Sequence, residues 1–324
     1  MARATTQPAK APKTPPRFFM LVPANPGIDF IRLAPLMMGI SALVVALSIG
    51  LLLTKGLTYG IDFAGGTMVQ ARFAERATAA DVRAALEEGG VHGAVVQDVG
   101  SEGREYQVRV AQIEEGQAET ASNNVRAALQ KKFGEGSYEV IRVETVGPKV
   151  GRDLWRDATL AVLASTLLMG IYIAIRFDLR FAIGAALALV HDTLVTLGAL
   201  VISGIEVDLT TVAALLTIVG FSVNDTVVIS DRIRENQQRR RGDSLAKIIN
   251  DSINETLSRT IITSGTAIMT VIALFVLGGD VIHSFAFSLL VGFVAGVYST
   301  VYVAAPLVLW MERWFKRPAL ARAK

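Results

Sequence analysis

Six stretches of this chain are long and apolar enough to cross a bilayer, and hydrocarbon leaves a polypeptide little freedom in how it folds. Without water, every backbone N–H and C=O must find its partner within the chain, so each stretch has to be an α-helix. The stretches are Leu33–Leu53, Ala158–Ile175, Phe181–Ile202, Leu209–Ile229, Thr260–Leu277 and Phe285–Met311. Each is near the roughly 20 residues that cover about 30 Å of hydrocarbon. A 52% hydrophobic composition and a mean hydropathy of +0.44 exclude an ordinary soluble globular protein.

Basic residues orient the spans, because loops rich in Lys and Arg stay cytoplasmic. Lys10, Lys13, Arg17 and Arg32 precede the first span, and Arg176 and Arg180 flank the second turn. Arg232, Arg234, Arg239, Arg240, Arg241 and Lys247 follow the fourth, and Arg313, Lys316, Arg317, Arg322 and Lys324 close the chain. With six spans, these four segments share one side, while Glu206, Asp208 and Asp280 occupy the short loops opposite. Both termini are therefore expected in the cytoplasm. Arg239-Arg240-Arg241 reads as a topogenic signal rather than a nucleic-acid or ribosome contact. Residues 1–32 read as a basic, mostly disordered tail. Thr54-Lys55-Gly56-Leu57 offers no small-x-small cleavage site, so the first span (33–54) is expected to remain in the protein.

Residues 55–156 form a polar extracytoplasmic segment between spans one and two. Thr67–Phe73, Ala94–Asp98, Glu105–Ala111 and Tyr138–Val146 read as strands. Thr78, with Asp81 three residues on, starts a helix that Gly89-Gly90 ends, and Gly116–Phe133 forms a second helix. The order β-α-β-β-α-β predicts a ferredoxin-like fold. The fold class is thus a six-helix membrane protein carrying an α+β extracytoplasmic domain. Residues 157–312 make up the other five spans and 313–324 a cytoplasmic tail. Leu245, Ile248, Ile249, Ile253 and Leu257 fall at helical spacing, which predicts an amphipathic helix near 244–258 on the cytoplasmic surface. Gly292 and Gly296 form a GxxxG, read as a close helix contact.

Enzyme chemistry finds no footing. There is no cysteine, no metal-ligand spacing among His92, His191 and His283, no nucleophile–base set and no phosphate loop, so no cofactor is expected. Charges inside the spans are the candidates instead. Asp225 lies in the fourth span and Arg259 opens the fifth on the same side. A carboxylate at mid-membrane costs about 2.5–3.5 kcal/mol on insertion scales unless it meets a partner or water. Burial and a nearby arginine pull its proton affinity in opposite directions. Three readings stay open: a proton relay, a structural ion pair locking spans four and five, or an Arg259 that is a topogenic arginine snorkelling to the membrane surface. Asn224 and Ser222 flank Asp225 and are candidates either to support a water chain or to pack the helices. His191 and Asp192, mid-span in the third helix, are a second relay element or a structural hydrogen bond. Because neighbouring helical positions point in different directions, they are expected not to form one site.

Four motifs carry a resemblance. They are Gly60-Ile61-Asp62-Phe63-Ala64-Gly65-Gly66-Thr67, Val146-Gly147-Pro148-Lys149-Val150-Gly151, Val223-Asn224-Asp225-Thr226-Val227-Val228 with Asp231-Arg232-Ile233-Arg234-Glu235-Asn236, and Asn254-Glu255-Thr256-Leu257-Ser258-Arg259-Thr260. From about Ile28 to Trp314 the chain resembles the SecF branch of the SecD/SecF family, within the resistance-nodulation-division superfamily. That resemblance implies an accessory subunit of the bacterial Sec protein translocase in the inner membrane. It implies SecD as an obligate partner, the SecYEG channel alongside, and a translocating unfolded polypeptide as client. It further implies that the proton gradient drives late, extracytoplasmic steps of export, with the family's intramembrane charges falling on Asp225 and Arg259. Two other readings remain: half of a proton-coupled exporter of small molecules or lipids, and a non-transporting scaffold of the translocon.

Overall fold

A computed structural model of the chain describes residues 26–99, 103–111, 118–279 and 282–312. The basic leader up to residue 25, Asp280, and the C-terminal tail from residue 313 lie outside the described residues. So do part of the turn before Glu105 and the expected start of the second loop-domain helix.

Among the described residues, six helices are long and apolar enough to span a membrane. The first is α1 (Phe30–Thr54). The short α2 (Ile61–Ala64) then leads into the loop domain of β1 (Gly66–Phe73), α3 (Ala79–Glu88), β2 (Val95–Asp98), β3 (Glu105–Val110), α4 (Ala118–Phe133) and β4 (Tyr138–Val146). The remaining spans are α5 (Pro148–Arg176), α6 (Leu179–Ser203), α7 (Leu209–Arg239), α8 (Leu245–Leu277) and α9 (His283–Ser299). The last span continues from α9 through a π-helical turn, Thr300–Ala304, to Glu312.

The loop domain has the expected order, with sheet order β2-β3-β1-β4 and antiparallel pairing throughout. Val69, Val82, Leu86, Val108, Val125 and Leu129 are fully enclosed between the sheet and its two helices. Each contributes about 1.5–3 kcal/mol by leaving water. The predicted box at Thr78 is present: its hydroxyl oxygen accepts from the Asp81 N–H at 3.1 Å, and the Asp81 carboxylate accepts from the Thr78 N–H at 3.2 Å.

One expectation needs correction. Residues 245–258 are helical, with Ser244 as the N-cap, but they are continuous with the fifth span as the first turns of α8. Ile248, Ile249 and Ile253 are buried against Ile229 and Ile233 of α7, not laid on a membrane surface. The reason is local. Arg240 pairs with Asp251 (2.8 Å) and Glu255 (3.0 Å), and Arg232 pairs with Glu255, so α7 and α8 are held together beyond the spans.

The glycine-rich segment before β1 docks the domain onto the membrane helices. Gly65 and Gly66 adopt φ of 72° and 131°, a region that side chains rarely enter. A Cβ on Gly66 would lie 2.6 Å from the Val110 carbonyl oxygen, and one on Gly151 of α5 would lie 2.9 Å from that of Phe63. Phe63 packs with Leu200 and Val207 at the α6–α7 loop. Backbone bonds join Gly60 N–H to Val207 (2.9 Å) and Val207 N–H to Thr58 (2.8 Å). The Asp62 carboxylate accepts from the Leu209 N–H, the first residue of α7, at 3.0 Å. Arg109 of β3 donates to the Tyr59 carbonyl and pairs with Glu206 of the same loop. Burial pushes the Arg109 guanidinium below its ordinary range.

Candidate functional site

Asp225 sits on the face of α7 that meets α8, with 4% of its surface exposed. Its Oδ2 accepts a hydrogen bond from the Ser264 hydroxyl of α8 at 2.9 Å. The two helices run antiparallel, so Ser264 and Asp225 share one level. Arg259 is five residues earlier on α8, about 7.5 Å toward the terminal side at 1.5 Å per residue. Its charge reaches Asp225, but among the described residues no ion pair of 4.0 Å or less joins the two. Arg259 is exposed on the outer surface of the helix pair. The structure therefore places a serine against the carboxylate and the arginine beside it. Ser264 is the residue that sequence reasoning missed, and only its place in the small run Ser264-Gly265-Thr266-Ala267 hints at a close α7–α8 approach.

The expected supporters separate. Asn224 is exposed and turned away from the bundle. Ser222 is buried but gives its hydroxyl to Asp192 Oδ2 of α6 at 2.7 Å, not to Asp225. Ser299 of α9 donates to the same Oδ2 at 2.9 Å. His191 and Asp192 do form one site, contrary to expectation: His191 Nδ1 lies 3.0 Å from Asp192 Oδ1. Neighbouring positions diverge around the helix, but these side chains are long enough for their polar ends to meet. Tyr298 of α9, with its ring 6.0 Å away and 25° from parallel, fixes the imidazole. GxxxG performs the expected packing role: a Cβ on Gly292 would lie 2.1 Å from Ile218, and one on Gly296 would lie 3.1 Å from Ser222.

The other quoted motif residues act as fasteners. Asn254 accepts from the Ile28 N–H (2.9 Å) and donates to its carbonyl (2.8 Å), and Asn250 accepts from the Phe30 N–H (2.8 Å). These bonds tie α8 to the start of α1. Glu255 is held by Arg232, Arg240 and Asn236, the last at 2.9 Å, and so ties α8 to α7. Among the described residues, no group of three His, Asp or Glu side chains is arranged to hold a metal ion.

Comparison with known proteins bears on the family and the fold. The family description "Protein export membrane protein SecD/SecF, C-terminal" matches residues 125–314, and "SecD/SecF GG Motif" matches residues 50–75, around Gly65-Gly66. "Protein translocase subunit SecF" of Vibrio alginolyticus is 45% identical over 90% of this chain and 92% of its own length. Its counterpart in Gemmatimonas aurantiaca is 40% identical over 93% and 92%. The chain belongs to the SecD/SecF family. Its fold matches the crystal structure of SecDF from a Thermus species with a TM-score of 0.81 and 37% identity over 90% of this chain. A second SecDF form, described as super-membrane-facing, gives 0.70 and 36%. This chain spans about 40% of the length of that SecDF. Membership in the SecD/SecF family makes it a multi-pass membrane protein of protein export.

Proposed function

We propose that this chain is the SecF-type half of a proton-driven accessory unit of the Sec translocase. It pairs with SecD, stands beside the SecYEG channel and acts on an unfolded polypeptide emerging on the loop-domain side. In this reading the membrane is the bacterial inner membrane, both termini are cytoplasmic, and the loop domain is extracytoplasmic. The observation that carries the reading is a buried carboxylate next to an open cation. Asp225 is enclosed, whereas Arg259 and Asn224 face outward from apolar helices. Arg259, Thr263, Thr266 and Thr270 fall along one exposed face of α8. The threonine hydroxyls are satisfied by their own helix, such as Thr266 by the Ile262 carbonyl at 2.9 Å. The guanidinium has no hydrogen bond or ion pair among the described residues, and lipid is a costly surface for it. A second membrane subunit covers that face, and Asp225 loads and releases a proton as the covered face rearranges. β4, at the sheet edge with Ile141 and Val143 exposed, gives the domain a strand on which an extended chain can lie.

The test is export of a precursor into vesicles that hold this chain with SecD and the channel, with and without a proton gradient. Asp225→Asn is expected to abolish the gradient-dependent part while the complex still co-purifies. A gradient effect that survives the substitution overturns the reading. A complex that falls apart instead favours the scaffold role, for which the Ser264–Asp225 bond between α7 and α8 is the specific support.

A further inference from the structure

We propose that His191 and Asp192 are a second proton-holding site, on the other side of α7 from Asp225 and opening onto an internal hydroxyl seam. This rests on the reading that the chain is coupled to the proton gradient.

Asp192 is fully enclosed near the middle of α6, a helix long and apolar enough to span a membrane. An ionised carboxylate is expensive at that depth, and such groups stand where protons or ions pass. The groups facing it are His191 on its own helix, Ser222 on α7 and Ser299 on α9. Tyr298 stacks on the imidazole and receives a hydrogen bond from Ser41 of α1 at 3.0 Å. Asp225 lies one turn along α7 from Ser222, and Tyr172 of α5 is exposed on the outer surface. Among the described residues, no Lys or Arg forms an ion pair with Asp192.

From this site, buried hydroxyls continue toward the terminal side. Thr226 and Thr300 meet at 3.1 Å across α7 and the last span, one turn below Ser222 and next to Ser299. Both line a cavity of about 10 Å³ with Ser230, the size of about one water. Ser222, Thr226 and Ser230 recur every four residues along one face of α7 and are each buried to within 5%. They cover about 12 Å of the span. The π-helical turn Thr300–Ala304 borders the cavity, and such turns are frequent at functional sites. Phe181, Ile233 and Val308 add apolar side chains to its lining. On the opposite edge, the His191 ring lines an outer groove of about 260 Å³ between α1 and α6 that also includes Ser41.

The His191–Asp192 contact can take up a proton without moving a heavy atom. With Asp192 ionised, Nδ1–H donates to Oδ1. A proton arriving at Nε2 forms the Nε2–H bond, the Nδ1–H bond breaks, and its proton forms the Oδ1–H bond, which now donates to Nδ1. The product is a neutral imidazole beside a neutral carboxyl group, and the reverse steps return the proton.

The test is infrared difference spectroscopy of the purified complex with SecD, recorded across a pH titration. Two titrating carboxyl components are expected from this chain, one lost in Asp192→Asn and the other in Asp225→Asn. Ser222→Ala and Ser299→Ala, which keep the charge, are expected to shift the Asp192 component. His191→Gln is expected to move its midpoint. A spectrum that Asp192→Asn leaves unchanged while Asp225→Asn alters it overturns the second site and leaves the coupling reading intact. If Asp192→Asn fails to assemble, the serine variants decide, and an unshifted spectrum in both overturns the proposal. Gradient-driven export that survives Asp225→Asn overturns the coupling reading instead.

Discussion

At the scale of single residues, the side chains that act locally behave differently from those that act across helices. Thr78 and Asp81 are three positions apart, and their reciprocal bonds follow from helix geometry alone. Those bonds, first the Thr78 hydroxyl and then its N–H, hold the Asp81 carboxyl below its ordinary 3.8. A depressed carboxyl stabilises the fold above the unfolded value, and that contribution fades as pH falls through the folded value. Amide protection in the first turn of α3, followed by hydrogen exchange, is therefore expected to drop as pH is lowered below about 3.8. In Thr78→Ala that dependence is expected to flatten. Asp225 shows the opposite case. It stood out in sequence because a carboxylate in an apolar run needs a partner, but that partner, Ser264, is 39 residues away, and only packing brings them together.

At the scale of elements, the α6–α7 loop joins the two parts of the molecule. It holds Glu206, pairs with the segment after α1 and leads directly into α7, whose first N–H is capped by Asp62. Arg109 and Glu206 have 13% and 19% of their side chains exposed, so neither charge is well hydrated alone. Removing one partner of a buried pair costs about 3–5 kcal/mol because the other charge stays behind. Arg109→Leu is expected to loosen the loop domain from the helices by about that amount. Limited proteolysis between 55 and 66 is expected to show it as faster cleavage. The double change with Glu206→Leu is expected to recover most of the loss, whereas equal cleavage of parent and Arg109→Leu would remove the strut from the account. The strands and helices of the domain were legible from periodicity and turn residues. The strut was not, since Arg109 and Glu206 look like ordinary surface charges in sequence. The amphipathic stretch before the fifth span shows the same limit. Its spacing gave the helix and its apolar face, while the Arg232, Arg240 and Glu255 contacts decided what that face covers.

At the scale of the whole molecule, the spans fall into two groups. The most apolar stretches of α6, α7 and the last span are 50%, 50% and 61% buried, whereas those of α1, α5 and α8 are 11%, 6% and 17%. The first group forms the interior, and α8 brings its Arg259 face to the outside. With no cysteine in the natural sequence, that face can be probed one position at a time. Thr266→Cys is expected to be shielded from a membrane-permeant maleimide when SecD is co-expressed and to be labelled when it is absent. Met269→Cys, also exposed on α8, provides a second position for mapping the edge of the covered area. Labelling of Thr266→Cys that is indifferent to SecD would move the subunit contact elsewhere.

The sequence by itself determined the number and order of spans, the topology of the loop domain, its helix cap and the presence of unusual charges within apolar runs. These follow from short-range rules: hydrocarbon forces helices, alternation marks strands, and caps and glycine turns act within a few residues. The tertiary structure alone decided that Ser222 serves Asp192 and not Asp225, that His191 and Asp192 share a bond, and that Ser264 meets Asp225. It also decided that Arg259 faces outward. A helical position fixes only an approximate direction for its side chain, and the identity of the atom opposite depends on how the helices rotate and slide as their small residues come into contact.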